Sequence, residues 1–175
     1  METKSYTTLD RQELGWPSGE WDTEPDKVQW QDQDTGLPCL AIRHAYFGNW
    51  NGYVGVHASH PWYGVEREKI HVHVHGGLSY HGFSDPPEEE AWGICYVPGP
   101  GEDPQIWWFG FDCNRGWDLS PLELLREQEM RDWDPWLAVM RSLGIAMDRQ
   151  YRTLAYVQKQ CCLLAVQLAA QIAKQ

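Results

Sequence analysis

The strongest constraint on the fold is a change of period along the chain. From residue 151 to 174, Leu154, Val157, Cys161, Leu164, Leu168 and Ile172 recur at spacings of three and four, with alanines between them. That spacing draws one apolar face of a long helix. Upstream, apolar residues come in short alternating runs broken by Gly, Pro and Asn, the pattern of strands joined by turns. Strands first and helices last predict an α+β domain, a mostly antiparallel sheet with a long C-terminal helix packed on one face. The runs predict strands at 37–46, 53–57, 69–75, 78–83, 91–97 and 106–111, the first two joined as a hairpin through G-N-W-N-G. Ser120, Pro121 and Glu123 form a capping-box start for a helix. Residues 1–36 show no sustained period and are expected to be an irregular N-terminal arm, anchored by Trp16, Trp21 and Trp30. Residues 37–175 are expected to form a single α+β domain.

At 175 residues, 42% of them hydrophobic, the chain is long enough for one real core. A formal net charge of −11 argues against a binder of extended nucleic acid, which needs a basic footprint, and against a polybasic membrane surface. No apolar run approaches the roughly 20 residues of a bilayer span. The five cysteines make an odd number with no C-x-x-C pair, and Met1 to Asp10 is polar, which predicts reduced thiols and no signal peptide. The expected location is cytoplasmic.

Chemistry concentrates in one stretch. All seven histidines lie between His44 and His81, and His71, His73 and His75 alternate in I-H-V-H-V-H-G-G-L. On a strand the three rings would share one face and Val72 and Val74 the other. A metal site would draw on two of these histidines with His60, His57 or Asp112 as a third ligand, but no established metal signature is present. Gly76 and Gly77 let backbone N–H groups approach an anion closely, or mark a strand bulge. In W-W-F-G-F-D-C, alternation sends Trp107, Phe109 and Phe111 one way and Trp108, Gly110 and Asp112 the other. Cys113 has no neighbouring His to activate it and reads as a buried thiol. Trp50, Tyr53, Trp62 and Tyr63 sit in turns and loops, where stacking on a flat ligand competes with packing under the arm. No Walker loop, dinucleotide fingerprint or serine-hydrolase elbow occurs.

The runs G-E-W-D-T-E-P-D-K-V-Q-W, T-G-L-P-C, G-Y-V-G-V, H-P-W-Y-G, V-H-G-G-L, W-W-F-G-F-D-C and Y-R-T-L-A-Y-V cover nearly the whole chain. Together they resemble a widespread family of small tailed-phage and prophage proteins. The residues matching that pattern are His60, Pro61, Tyr63, Gly64, His75, Gly76, Gly77, Trp107, Gly110, Asp112, Cys113 and Asp118. Where the pattern commonly places a His two residues after the D-C pair, this chain has Arg115, which suits a phosphate better than acid–base chemistry. The resemblance implies a phage product acting in the cytoplasm of an infected bacterial host, and supplies no activity.

By analogy with small phage anti-defence factors, the expected function is sequestration of a nucleotide-derived immune signal without cleavage. Trp50, Trp62, Tyr63 and Trp107 would wall or stack the base. His60, His75 and Arg115 would contact phosphate or ribose at the Gly76–Gly77 turn, and Asp112 would accept from a sugar hydroxyl or orient Arg115. No cofactor and no metal are expected. The alternatives are a metal- or His/Asp-dependent phosphoester hydrolase and an acidic protein–protein inhibitor of a host factor. The Ala-rich C-terminal helix suits either the core or a homo-oligomer seam.

Overall fold

A computed structural model describes residues 3–96, 98, 105–130, 135, 139, 143 and 149–172. Its centre is a six-stranded sheet in which every neighbouring pair is antiparallel, ordered β1-β2-β3-β4-β6-β5. The strands are β1 (Lys4–Tyr6), β2 (Lys27–Gln31), β3 (Pro38–Arg43), β4 (Trp50–Val56), β5 (Tyr80–Phe83) and β6 (Trp107–Asp112). Two short strands, β7 (Asp118–Leu119) and β8 (Gln150–Tyr151), pair in parallel beside it. Helix α1 (Pro121–Met130) starts on the expected capping box: Glu123 N–H donates to Ser120 Oγ at 3.3 Å and Ser120 N–H donates to Glu123 Oε2 at 3.2 Å. Helix α2 (Leu154–Ile172) packs on β3 and β4. The chain is therefore α+β, with its C-terminal helix on one face of an antiparallel sheet.

Strand alternation divides the apolar residues between the two faces. Cys39, Ala41, Trp50, Val54, Phe109 and Phe111 meet Val157, Cys161, Leu164, Ala165 and Leu168 of α2. Leu40, Ile42, Tyr53, Ile106 and Trp108 form a second cluster on the opposite face. Among the described residues, no helix is long and apolar enough to cross a membrane.

Three sequence expectations are corrected. Residues 1–36 are not simply an irregular arm, because they contribute β1 and β2 to the sheet and bury Trp16 and Trp21. The buried Asp26 carboxylate accepts from Thr8 N–H, Leu9 N–H and Arg11, which satisfies backbone that no periodic pattern marks. Residues 69–75 are not a sheet strand. They run beside α2, where Gln167 Nε2 donates to His73 O at 2.8 Å, Gln167 Oε1 accepts from His73 N–H at 2.7 Å, and Gln160 Oε1 accepts from His75 N–H at 3.0 Å. Gln160 and Gln167 lie seven residues apart on one side of the helix and take the place of a neighbouring strand. Residues 91–96 form turns and irregular backbone, because their carbonyls converge on the buried Lys27 ammonium instead of on a strand. Val97, and the end of the predicted helix at 173–174, lie outside the described residues.

Candidate functional site

The Gly76–Gly77 turn is the corner on which the site is built. Both glycines hold left-handed backbone, at φ +63° and +81°, a conformation that disfavours a side chain. A Cβ at position 76 would lie 2.3 Å from Arg115 Nε, so the turn and the guanidinium are in close contact. Arg115 Nη2 donates to Asp112 Oδ2 at 3.2 Å. Asp112 therefore orients Arg115, one of its two expected roles.

Just before the turn, His75 enters the protein. Its Nε2 is 2.7 Å from Asp118 Oδ2 and its Nδ1 is 2.8 Å from the Tyr156 hydroxyl. Asp118 is itself saturated: Oδ1 accepts from Arg152 Nε at 2.8 Å, and Oδ2 also accepts from Arg115 N–H at 3.0 Å. The Arg152 guanidinium lies over the Tyr156 ring at 4.9 Å. Burial raises the pKa of the Tyr156 hydroxyl, with Arg152 opposing it, so the phenol stays protonated at neutral pH. The Cys113 thiol is buried and likewise pushed up by burial, then by Asp118 and Asp112, which suits an inert thiol.

The remaining expected residues fall elsewhere. Trp50 is wholly buried, with Nε1 donating to Glu24 Oε2 at 2.9 Å and the Arg43 guanidinium 4.3 Å from its ring, so it offers no face to a base. His60 is also a structural residue. Its Nδ1 accepts from Trp62 N–H at 3.0 Å, which leaves Nε2 to donate to Leu168 O at 2.9 Å. Burial lowers its pKa and outweighs the Leu168 hydrogen bond, which acts the other way, so the net shift fits a neutral ring locked between its own turn and α2. Trp62 and Tyr63 are half-buried. Tyr63 joins Trp107, Phe83 and His81 in an aromatic group, with Phe83 4.9 Å and His81 5.6 Å from the Trp107 ring. Trp107 donates through Nε1 to Val65 O at 3.1 Å.

Beside the glycine turn lies a groove of about 360 Å³, lined in part by Arg67, Glu68, His71, His73 and Gly77, with Arg67 Nε donating to Glu68 Oε1 at 2.8 Å. His71 and His73 are exposed, and nothing lies within 4 Å of a Cβ placed at Gly77. Arg67 N–H donates to His81 Nδ1 at 3.4 Å, which ties the groove to the aromatic group. A larger cleft, of about 710 Å³, lies elsewhere on the molecule. Its walls include Asp32 and Asp34, so it is the wrong sign for an anion despite its volume. No group of three or more His, Cys, Asp and Glu among the described residues is placed to hold a metal ion.

Of the ten expected site residues, the structure brings His75, Gly76, Gly77, Asp112 and Arg115 into one neighbourhood. The expected set lacked Arg67, Tyr156, Arg152 and Asp118. Asp118 was visible in the family pattern and as an acid near Arg115. Tyr156 and Arg152 carry no spacing signal, because α2 reaches the site only through the tertiary fold. The chain matches no protein family model, no curated protein and no solved structure.

Proposed function

We propose that this chain is a phage-encoded protein that sequesters a nucleotide-derived signal without cleaving it, in the cytoplasm of an infected bacterial host. The observation that carries the reading is the groove itself. Its volume of about 360 Å³ falls in the range of small-ligand sites. Arg67, His71 and His73 supply donors for phosphate or ribose, and Gly77 leaves room for close approach. Ile70, Val72 and Leu78 give it apolar walls, and the Arg115–Asp112 pair holds the far side of the turn. The assembly that accompanies this reading is a homo-oligomer through the outer side of α2, where Leu163 and Val166 are exposed.

At the buried His75–Asp118–Tyr156 cluster the chemistry favours binding without turnover over hydrolysis. Both nitrogens of His75 are occupied, Asp118 has its oxygens filled, and the Tyr156 hydroxyl is held protonated. A general base needs a free acceptor atom within reach of substrate, and this cluster offers none; His71 and His73, exposed on the groove, are the residues a hydrolase reading would have to use.

Calorimetry and native mass spectrometry with cyclic dinucleotides, cyclic ADP-ribose and ADP-ribose test the proposal. At least one of these probes is expected to bind and to be released intact on denaturation. Arg67→Ala and His73→Ala are each expected to weaken that binding about tenfold, the effect of losing one charge-assisted or polar hydrogen bond. Binding of none of the probes overturns the proposal, and recovery of a cleaved probe moves it to the hydrolase.

A further inference from the structure

Away from the groove, Lys27 and Cys95 form a pair that the binding reading does not use. Lys27 sits on β2 with its side chain wholly buried. Its Nζ donates to the carbonyls of Glu90, Gly93 and Cys95, the last two at 2.8 and 3.0 Å, and lies 3.7 Å from Cys95 Sγ. The Tyr6 ring closes another side, with its centroid 5.7 Å from Nζ. A lysine amine and a free thiol are thus held together by the fold, and no cysteine in the chain is engaged in a disulfide.

Cys95 also borders a cleft, although the residue is only 2% exposed. The cleft has a volume of about 380 Å³, and its other walls include Phe83, Pro86 and Tyr96. A small neutral oxidant that enters this cleft comes up against Cys95, whose sulfur has the Lys27 nitrogen 3.7 Å away. Burial lowers the pKa of Lys27, which eases loss of one of the three protons it gives to carbonyls, the step that must precede any attack by nitrogen. The same burial raises Cys95, against the pull of the Lys27 ammonium, so the first oxidation is the slow step.

We propose that Lys27 and Cys95 are a redox-modification site, in which hydrogen peroxide admitted by the cleft converts the pair into a covalent Sγ–Nζ link. In the first step sulfur attacks one peroxide oxygen. The O–O bond breaks, the thiol proton leaves with the departing oxygen as water, and Cys95 becomes a sulfenic acid. In the second step the neutral Lys27 amine attacks Sγ. The N–S bond forms, the S–O bond breaks, and the departing hydroxide takes a proton from nitrogen as a second water. One peroxide is reduced to two waters while the pair is oxidised by two electrons. The link fastens β2 to the segment that follows the acidic loop, and a thiol reductant reverses it.

The test uses the full chain, treated with hydrogen peroxide, alkylated, digested with trypsin and mapped by mass spectrometry. The expected product joins the peptides that carry Lys27 and Cys95, lighter than their sum by two hydrogens. Tryptic cleavage after Lys27 is lost in that fraction, and dithiothreitol restores it. Retained cleavage after Lys27 while Cys95 is recovered as thiol, sulfinic or sulfonic acid overturns the proposal. Cys95→Ser is expected to abolish the joined species, and its persistence in that variant also overturns the assignment. Because the decisive map is made on the unaltered protein, it does not depend on a Lys27 variant folding, and ligand binding does not enter it.

Discussion

Glu24→Gln is expected to lower the unfolding free energy by about 3–5 kcal/mol, as breaking a buried charge pair does. Glu24 Oε2 accepts from Arg43 Nη2 at 2.9 Å, Trp50 Nε1 at 2.9 Å and the Tyr151 hydroxyl at 2.6 Å, while Oε1 accepts from Leu154 N–H at 2.6 Å. The carboxylate therefore joins β3, β4 and β8 and satisfies the first N–H of α2, where a negative charge also suits the helix dipole. A glutamine keeps the shape but turns an amide donor toward a ring of donors and leaves Arg43, buried to the last atom, with only the Asp26 carboxylate nearby at 3.4 Å. Such a loss is a large part of the roughly 5–15 kcal/mol that a domain of this kind has. Urea denaturation should show a lower midpoint with an unchanged slope.

The same residue sets a pH signature. Burial alone would raise the Glu24 pKa, but the hydrogen bonds from Tyr151, Leu154, Trp50 and Arg43 outweigh it and leave the group below its ordinary value of 4.5. A carboxyl with a depressed folded-state pKa gives stability that is fully present above its ordinary value. That stability is lost as pH falls through the folded value. The gap between the native protein and Glu24→Gln should hold at neutral pH and narrow below about pH 4.5. A gap that stays constant into acid would show that Glu24 acts through its shape and not its charge.

Glu24 also illustrates which parts of the structure were legible in the sequence. The spacing of Val157, Cys161, Leu164 and Leu168 identified α2 and its buried side, and the alternation in W-W-F-G-F-D sorted β6 onto two faces. These signals are local: they depend on neighbours a few residues away and on whether a side chain meets water. Glu24 lies in an acidic, turn-rich stretch that looks solvated, and its partners stand 19 to 130 residues further along. Lys27 is hidden in the same way, since a lone lysine gives no sign that three carbonyls will surround it. Polar groups that tie distant segments together leave no periodic trace, so residues 1–36 read as an irregular arm from sequence although β1 and β2 belong to the sheet.

The candidate site was half legible for the same reason. The glycine pair and the D-C-N-R run are compact, and each was placed correctly beside its own neighbours. Of the three alternating histidines, His71 and His73 keep the expected period and point outward, with Val72 and Val74 packed inward, whereas His75 leaves their face and is buried against Asp118 and Tyr156. The period does not record what the backbone bonds to, and here the partners are glutamine side chains on α2. Trp50 went astray because a turn flanked by glycines looks like a loop from sequence, whereas β4 begins at Trp50 itself.

The contact of α2 with the sheet depends on a missing side chain, and the second large effect is expected there. Gly52 lies on β4 opposite Ala41 and Phe111. A Cβ at this position would sit 2.3 Å from Phe111 Cζ and 2.9 Å from Cys161 Sγ, well inside van der Waals contact. Neither neighbour has room to withdraw: Phe111 is 1% exposed within the sheet and Cys161 is 0% exposed on the helix. Gly52→Ala is therefore expected to destabilise by about 3 kcal/mol, at the upper end of overpacking costs, despite the higher strand propensity of alanine. Phe111→Leu alone should also destabilise, by a comparable amount, through the cavity it leaves. If the ring is what the new methyl strikes, the double variant Gly52→Ala with Phe111→Leu should be more stable than the sum of the two losses predicts, by at least about 1 kcal/mol, since residues in contact couple on that scale. Strict additivity in urea denaturation would place the strain at Cys161 instead, and Cys161→Ala would then be the substitution that relieves it.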